Sequence, residues 1–394
     1  MLLGREFTWH CPTRIEFGFG AVERLPALAR ELGCARLLLV SDPGLAQTGL
    51  VERVAALLRA DGLAFETFAE VDQEPDHATA LEALAKAREG GCDGVVGLGG
   101  GSAMDSAKIV GLMLGNEGEP RDYVGLGRVP KPGAPVIAIP TTAGTGSEMT
   151  VWSVLSDKAN DDKYPIGSPY NCPRIALLDP DLSVTLPGAL TAGTGFDALT
   201  HAMESYVCLV TQPISEAMAE QAIRMIGENL RLAVAQPDNR EARGQMLLAS
   251  TIAALAFNNT RLGLVHALTM PLGARFHIPH GLANGIVLPA VMAYNLRGAA
   301  RKYARVAALL GEATEGLTER EAAQLSVPAV AALKRETGLT QTLADFGVTE
   351  ESLDWLAGEA MKSGNVPINP VRPSLDDLKA IARVAMRPDD EMVL

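Results

Sequence analysis

The feature that most limits what this chain can fold into is a change of pattern near Asp179-Pro180. Before it, short apolar runs alternate with helical stretches. ARLLLVSD (35–42), GVVGLGGG (94–101) and VIAIPTTAGTG (136–146) each read as a buried parallel strand that ends in turn residues. Residues 151–178 read as further extended segments. Between the strands, LVERVAALLRA and ATALEALAKARE carry apolar residues at helical spacing. Strands separated by helices imply βαβ units and a mostly parallel sheet. After the break the strand signal nearly vanishes. Ala-rich helical patterns occupy 214–233, 240–258, 296–310, 320–336 and 374–386, with 311–320 and 362–373 read as surface loops. At 394 residues the chain exceeds what one hydrophobic core usually supports. The break is therefore read as a domain boundary, with an α/β domain over 1–182 and an all-α domain over 183–394.

The chain has only six histidines, and three of them fall with an aspartate in one arrangement: Asp197-x-x-x-His201, His266 and His280. Four residues apart on a helix, Asp197 and His201 project from the same face one turn apart. Three imidazoles and a carboxylate, with no thiolate, suit Fe(II), Zn(II), Ni(II) or Mn(II) better than a soft-metal or iron–sulfur site. A single histidine on an apolar helix is usually a satisfied core residue. Four such groups in so His-poor a chain make a metal site the stronger reading.

GLGGGSAMDSAK (97–108) follows a strand and opens a helix. Consecutive glycines let a backbone approach a phosphate closely, and a helix N-terminus offers free N–H groups and the positive end of a dipole. The spacing Gly97-x-Gly99-x-x-Ser102 departs from a strict GxGxxG fingerprint, and an empty Gly-rich turn is the plainer alternative. A second loop, PTTAGTGSE (140–148), also follows a strand, and its Thr141, Thr142, Thr145 and Ser147 offer donors to phosphate or ribose. Ligands of open α/β sheets lie beyond the carboxyl ends of the strands, where both loops are expected. Asp42, at the end of LLLVSD, is placed either to accept from the adenosine ribose hydroxyls or to cap a helix. In the first role it would repel a 2′-phosphate and favour NAD over NADP.

A net charge of −13 argues against nucleic acid or an anionic membrane as partner. The five cysteines are odd in number, scattered and never in CxxC, which fits a reducing compartment. MLLGREFTWHCP lacks the apolar core of a signal peptide, and no uncharged apolar run reaches transmembrane length. A cytoplasmic location is expected.

Together, GGGSAMDSAK, PTTAGTGSE, GFDALTHAMESY and HALTMPLGARFHIPHGLAN resemble the iron-containing (group III) alcohol dehydrogenases, nearly end to end, from PTRIEFGFGAVERL to INPVRPSLDDL. Maleylacetate reductases, glycerol dehydrogenases and, more remotely, dehydroquinate synthases share that superfamily. The resemblance implies a Rossmann-like α/β N-terminal domain, an all-α C-terminal domain (the dehydroquinate synthase-like fold), NAD, a divalent metal with Fe2+ first, and a homodimer. It also implies that the metal polarises the oxygen of a small alcohol, aldehyde or ketone while hydride passes to or from nicotinamide. It places Asp197, His201, His266 and His280 at the metal-ligand positions. Gly99, Gly100, Gly101 and Ser102 fall at the pyrophosphate turn, and Asp105 near the nicotinamide. Thr141, Thr142 and Thr145 fall around the phosphates and ribose, and Lys163 at the nicotinamide ribose. Phe257 falls beside the nicotinamide and substrate.

There are departures. Many members read HxxxHPLG, with a second histidine implicated in catalysis, and here that slot is Met270. His277 is then the best remaining titratable group for proton transfer, unless it is only a loop histidine. Trp152 occupies a substrate-pocket position. Arg261 lies just upstream of His266, either as a clamp on a carboxylate or phosphate of the substrate or in an ordinary salt bridge. A maleylacetate reductase-like enzyme acting on an oxo-acid is the runner-up. A dehydroquinate synthase-type lyase is less favoured, because few basic residues surround the ligands.

Overall fold

The computed structural model describes residues 6–72, 74–158 and 162–389; residues 1–5, part of the N-terminal stretch read above, lie outside them. The chain forms two compact units, one spanning His10–Leu186 and the other made of the described residues before His10 together with those from Pro187 onward, so the first residues group with the helical half and not with the α/β half as expected. The first is an α/β unit with a parallel sheet and the second is helical, which is the fold class expected.

In the first unit the strands are β1 (Arg14–Phe17), β2 (Arg36–Val40), β3 (Ala64–Phe68), β4 (Gly94–Gly99), β5 (Gly125–Leu126), β6 (Val136–Pro140), β7 (Trp152–Asp157), β8 (Asp162–Gly167) and β9 (Ile175–Leu178). Its helices are α1 (Leu25–Glu31), α2 (Pro43–Gln47), α3 (Leu50–Ala60), α4 (His77–Glu89) and α5 (Gly101–Gly115). Six strands pair in the order β1-β9-β6-β4-β2-β3, all parallel. β5, β8 and β7 form a separate small sheet in which β7 and β8 are an antiparallel hairpin. β1 and β3 carry no strand signal strong enough to read in advance. Both are edge strands, and β1 has exposed or half-exposed residues throughout, so neither shows a buried apolar run.

Successive side chains of a strand point to opposite faces, and the core shows it. Leu37 and Leu39 of β2 pack with α1 and α3, whereas Leu38 and Val40 pack with α4 and α5. The helices that follow neighbouring strands β2 and β4 therefore cover opposite faces of the sheet. Where that happens, the loops leaving the two strands diverge and open a crevice at their carboxyl ends. The GLGGGS turn leaves β4 there, and Asp42 leaves β2.

The second unit contains α6 (Gly188–Val207), α7 (Pro213–Ala235), α8 (Arg240–Phe257), α9 (Leu264–Phe276), α10 (His280–Leu309), α11 (Glu319–Glu336), α12 (Leu353–Met361) and α13 (Leu375–Ala385), and no strand among its described residues. The pattern read over 296–310 is the tail of α10, whose non-helical kink at Ala299 separates it from the His280 end. The 362–373 stretch is not wholly a surface loop: Asn369 is buried and bonded to Asn295 of α10. A Cβ on Gly281 would collide with the carbonyl oxygen of Gly193 and would sit 3.4 Å from the Asp197 Cβ. The start of α10 thus lies on the backbone of α6, which brings His280 beside Asp197.

Candidate active site

In the first unit, β4 ends at Gly99 and α5 begins at Gly101, with Gly100 as its N-cap and no side-chain cap. Gly99 has φ 147°, and a Cβ on it would lie 2.9 Å from the Ala103 Cβ and 3.2 Å from Asp42 Oδ2. A Cβ on Gly101 would meet the Thr145 side chain at 2.8 Å. On Gly100 it would find only Thr142, at 3.7 Å. The turn is therefore packed from behind and has no side-chain cap on its N-cap glycine, which suits an anion at the helix N-terminus. Thr141 N–H donates to the Gly99 carbonyl at 3.0 Å, tying the second loop to the first. Asp42 caps α2 by accepting from the Leu45 N–H at 2.8 Å, and its other oxygen faces the glycine turn. Of the two readings of Asp42, the helix cap is the one seen in the geometry.

Asp105, one turn inside α5, accepts from the Ser147 hydroxyl at 2.5 Å and the Val154 N–H at 2.9 Å. Lys108 closes the stretch GLGGGSAMDSAK but is given no role by the sequence reading. It is fully buried and donates to Ser147 O (3.1 Å), Ser147 Oγ (3.2 Å), Thr150 Oγ1 (3.1 Å) and Trp152 O (2.5 Å). Burial pulls its pKa down, against the opposing pull of nearby Asp105. The pair fastens α5 to the 147–154 segment. Trp152, half-buried, lies across Gly167 of the hairpin, and Lys163 Nζ sits 3.4 Å from Glu74 Oε1.

In the second unit, donor atoms of Asp197, His201 and His266 lie within 4.8 Å of one another, all three residues buried. His280 Nε2 is 3.7 Å from Asp197 Oδ1, and His201 Nε2 is 3.6 Å from the same oxygen. The rings of His201 and His266 stack at 4.9 Å, and those of His266 and His280 are 5.2 Å apart. The His280 side chain is 43% exposed, against 3% for Asp197 and 7% for His201. Burial alone would raise the Asp197 pKa, but His201, His280, His266 and the Asn284 amide outweigh it and hold the carboxyl below its usual range. A carboxylate and three imidazoles facing one another are a poor hydrophobic core and a good set of donors for a borderline divalent cation. An approach left open on one side is the property of catalytic rather than structural sites. The residues fit a metal.

Two residues behind these donors lie inside the stretches GFDALTHAMESY and HALTMPLGARFHIPHGLAN but are given no role by the sequence reading. Glu204, one turn beyond His201, accepts from His266 Nδ1 and from the Val265 N–H, each at 2.6 Å. Asn284, four residues after His280, donates to Asp197 Oδ1 at 2.8 Å and is held by the Thr269 hydroxyl at 2.8 Å. Their i+3 and i+4 offsets from ligand positions were the available clue. Phe257 stacks on His201 at 4.3 Å. Met270 is exposed on α9, and His277 is exposed at the C-cap of that helix with φ 53°. Arg261 is exposed, has φ 126°, and rests its guanidinium against Gly364.

The iron-containing alcohol dehydrogenase family model matches residues 12–180, and the C-terminal model of the Fe-containing alcohol dehydrogenase family matches residues 191–386. A 1,3-propanediol dehydrogenase of Klebsiella pneumoniae is 39% identical over 383 residues, 97% of this chain and 99% of that protein. The chain belongs to the iron-containing alcohol dehydrogenase family. As a member, it is an oxidoreductase of alcohols and their carbonyl counterparts. A solved 1,3-propanediol oxidoreductase matches this iron-containing dehydrogenase with a TM-score of 0.95 at 39% identity, covering 97% of this chain and 100% of that one. Sulfoacetaldehyde reductase from Bifidobacterium kashiwanohense, solved in complex with NAD+, gives 0.89 at 31% identity, covering 97% and 99%. No helix among the described residues is long and apolar enough to cross a membrane.

Proposed function

We propose that this chain is an NAD(H)-linked alcohol dehydrogenase, or aldehyde and ketone reductase, in which Asp197, His201, His266 and His280 hold a divalent metal, Fe2+ first. The convergence of one carboxylate and three imidazoles carries the reading. When bound, the metal supplies Lewis acidity that favours the deprotonated form of an alcohol, and nicotinamide supplies or accepts the hydride. Three neutral imidazoles and one carboxylate leave such a centre cationic. Phe257 walls the site beside His201. Met270 cannot carry a proton, so the exposed His277 is the group proposed to exchange it with solvent. Trp152 and Arg261 are the proposed substrate contacts, Arg261 for an anionic group.

On the nucleotide side, Gly99, Gly100, Gly101 and Ser102 would receive the pyrophosphate. Thr141, Thr142, Thr145 and Lys163 would contact phosphate or ribose, and Asp105 would lie near the nicotinamide. Residues 1–182 then form the NAD-binding domain and 183–394 the metal-binding domain. Five free cysteines fit a cytoplasmic protein, and the working assembly is a homodimer. The test is oxidation of NADH by Fe2+-loaded protein on a panel of short aldehydes, hydroxyketones and oxo-acids, followed by the NADH absorbance band. Turnover of aldehydes that is lost on chelation is expected. No turnover of any carbonyl would overturn the reading, and turnover of oxo-acids alone would move it to the reductase branch.

Asp42→Gly is expected to shift the NADP/NAD ratio of kcat/KM upward by about tenfold or more, because a carboxylate beside the ribose repels a 2′-phosphate by more than about 1.4 kcal/mol at short range. Loss of the helix cap to glycine costs only a few tenths of a kcal/mol, roughly, so stability should barely change. An unchanged ratio would leave Asp42 as a cap alone.

A further inference from the structure

We propose that Glu204 is a positioning residue that fixes the protonation and orientation of His266 toward the metal; this rests on the metal-centre reading above. The argument is one of counting donors and acceptors. Both Glu204 oxygens face donors: Oε1 receives the Val265 N–H at 2.6 Å and Oε2 receives His266 Nδ1–H at 2.6 Å. The His266 and Glu204 side chains are only 6% and 4% exposed, so water cannot substitute for either partner. A carboxylate accepts at both oxygens. With the proton held on Nδ1, Nε2 keeps its lone pair, and Nε2 is the atom 3.4 Å from the Asn284 amide that also touches Asp197 and His280. The ring is thereby set to offer one nitrogen to the cluster and none to solvent.

The support continues behind the carboxylate. A Cβ on Gly263 would lie 2.9 Å from Glu204 Oε1 and 3.5 Å from Asn369 Oδ1. Asn369 in turn exchanges hydrogen bonds of 3.0 and 2.6 Å with Asn295 of α10 and donates to Val371 O at 2.7 Å. The absent side chain of Gly263 thus leaves room for the Glu204 carboxylate, and a buried amide pair on the other side of that glycine anchors the segment after α12.

Glu204→Gln separates this role from simple packing. A glutamine of the same shape has one acceptor and one donor, so it cannot satisfy two donors at once. Either the Val265 N–H loses its partner, or the amide NH2 faces Nδ1 and drives the His266 proton to Nε2, where it blocks coordination. Zn2+ affinity of full-length protein, measured by competition with a chromophoric chelator, is expected to fall about 10- to 100-fold. Co2+-loaded variant should show an altered visible spectrum, while NAD+ affinity by calorimetry stays at the wild-type value. Gly263→Ala, which displaces the carboxylate without changing any charge, is expected to move Zn2+ affinity in the same direction and carries the test if the first variant fails to fold. Wild-type Zn2+ affinity in either folded variant overturns the role of Glu204. Wild-type protein that binds neither Zn2+ nor Fe2+ overturns the metal centre itself.

Discussion

Asp197→Asn is expected to remove the metal and to lower kcat/KM for carbonyl reduction by about 10³-fold, the several kcal/mol that a Lewis-acid centre contributes to stabilising developing charge on oxygen. Asp197 is the only anion among the four donors, and the neutral amide that replaces it keeps the shape but loses the charge. The fold should survive. The carboxylate is buried between α6 and the start of α10, and its burial is tolerated because three imidazoles and the Asn284 amide surround it. Replacing it by a neutral group removes a desolvation cost along with the attraction, so the metal-free melting temperature should stay close to that of the wild-type apoprotein. Elemental analysis and steady-state kinetics on the same preparation check both halves. Full metal occupancy with less than a tenfold loss of activity would place the chemistry elsewhere.

The second large effect is expected at Gly99. Its φ of 147° lies where L residues are rarely found, and an added methyl would stand 2.9 Å from Ala103 in the first turn of α5. Strain and clash act together, so Gly99→Ala must shift the turn at a cost of about 1–3 kcal/mol. The same shift moves the N-terminus of α5, and the Kd for NAD+ is expected to rise about 10- to 100-fold. Zn2+ binding should be unaffected, because every donor lies in the helical unit. Calorimetric titration with NAD+ and with Zn2+ separates the two. NAD+ binding at the wild-type Kd would mean that the glycine turn does not hold the dinucleotide.

Much of this protein is legible in its sequence because the relevant signals are local. The buried strands β2, β4 and β6 are continuous apolar runs, and the helices α3, α7, α8 and α11 show their period within a few turns. The glycine turn and the Asp197–His201 pair are each contained within one turn of helix or one loop. Edge strands β1 and β3 were not legible, because they are short and mostly exposed or half-exposed, so they show no continuous apolar run even though Phe65 and Phe68 of β3 pack on the core. The separate β5-β8-β7 sheet escaped as well, since extended residues do not state their partners.

What the sequence alone determined is the inventory: an α/β half, a helical half, a glycine turn and four donors of the right chemistry. The tertiary structure alone decided their arrangement. Leu37 and Leu38, adjacent in β2, face different helices, and that parity opens the crevice where Asp42 meets Gly99. Gly281 lying on the Gly193 carbonyl brings a histidine from one helix to an aspartate on another. Glu204, Asn284 and Lys108 lie within recognisable stretches, yet nothing in those stretches states what they bond to. Their roles arise from buried hydrogen bonds to partners as many as 87 residues away, and distance between side chains is a property that no run of neighbouring residues encodes.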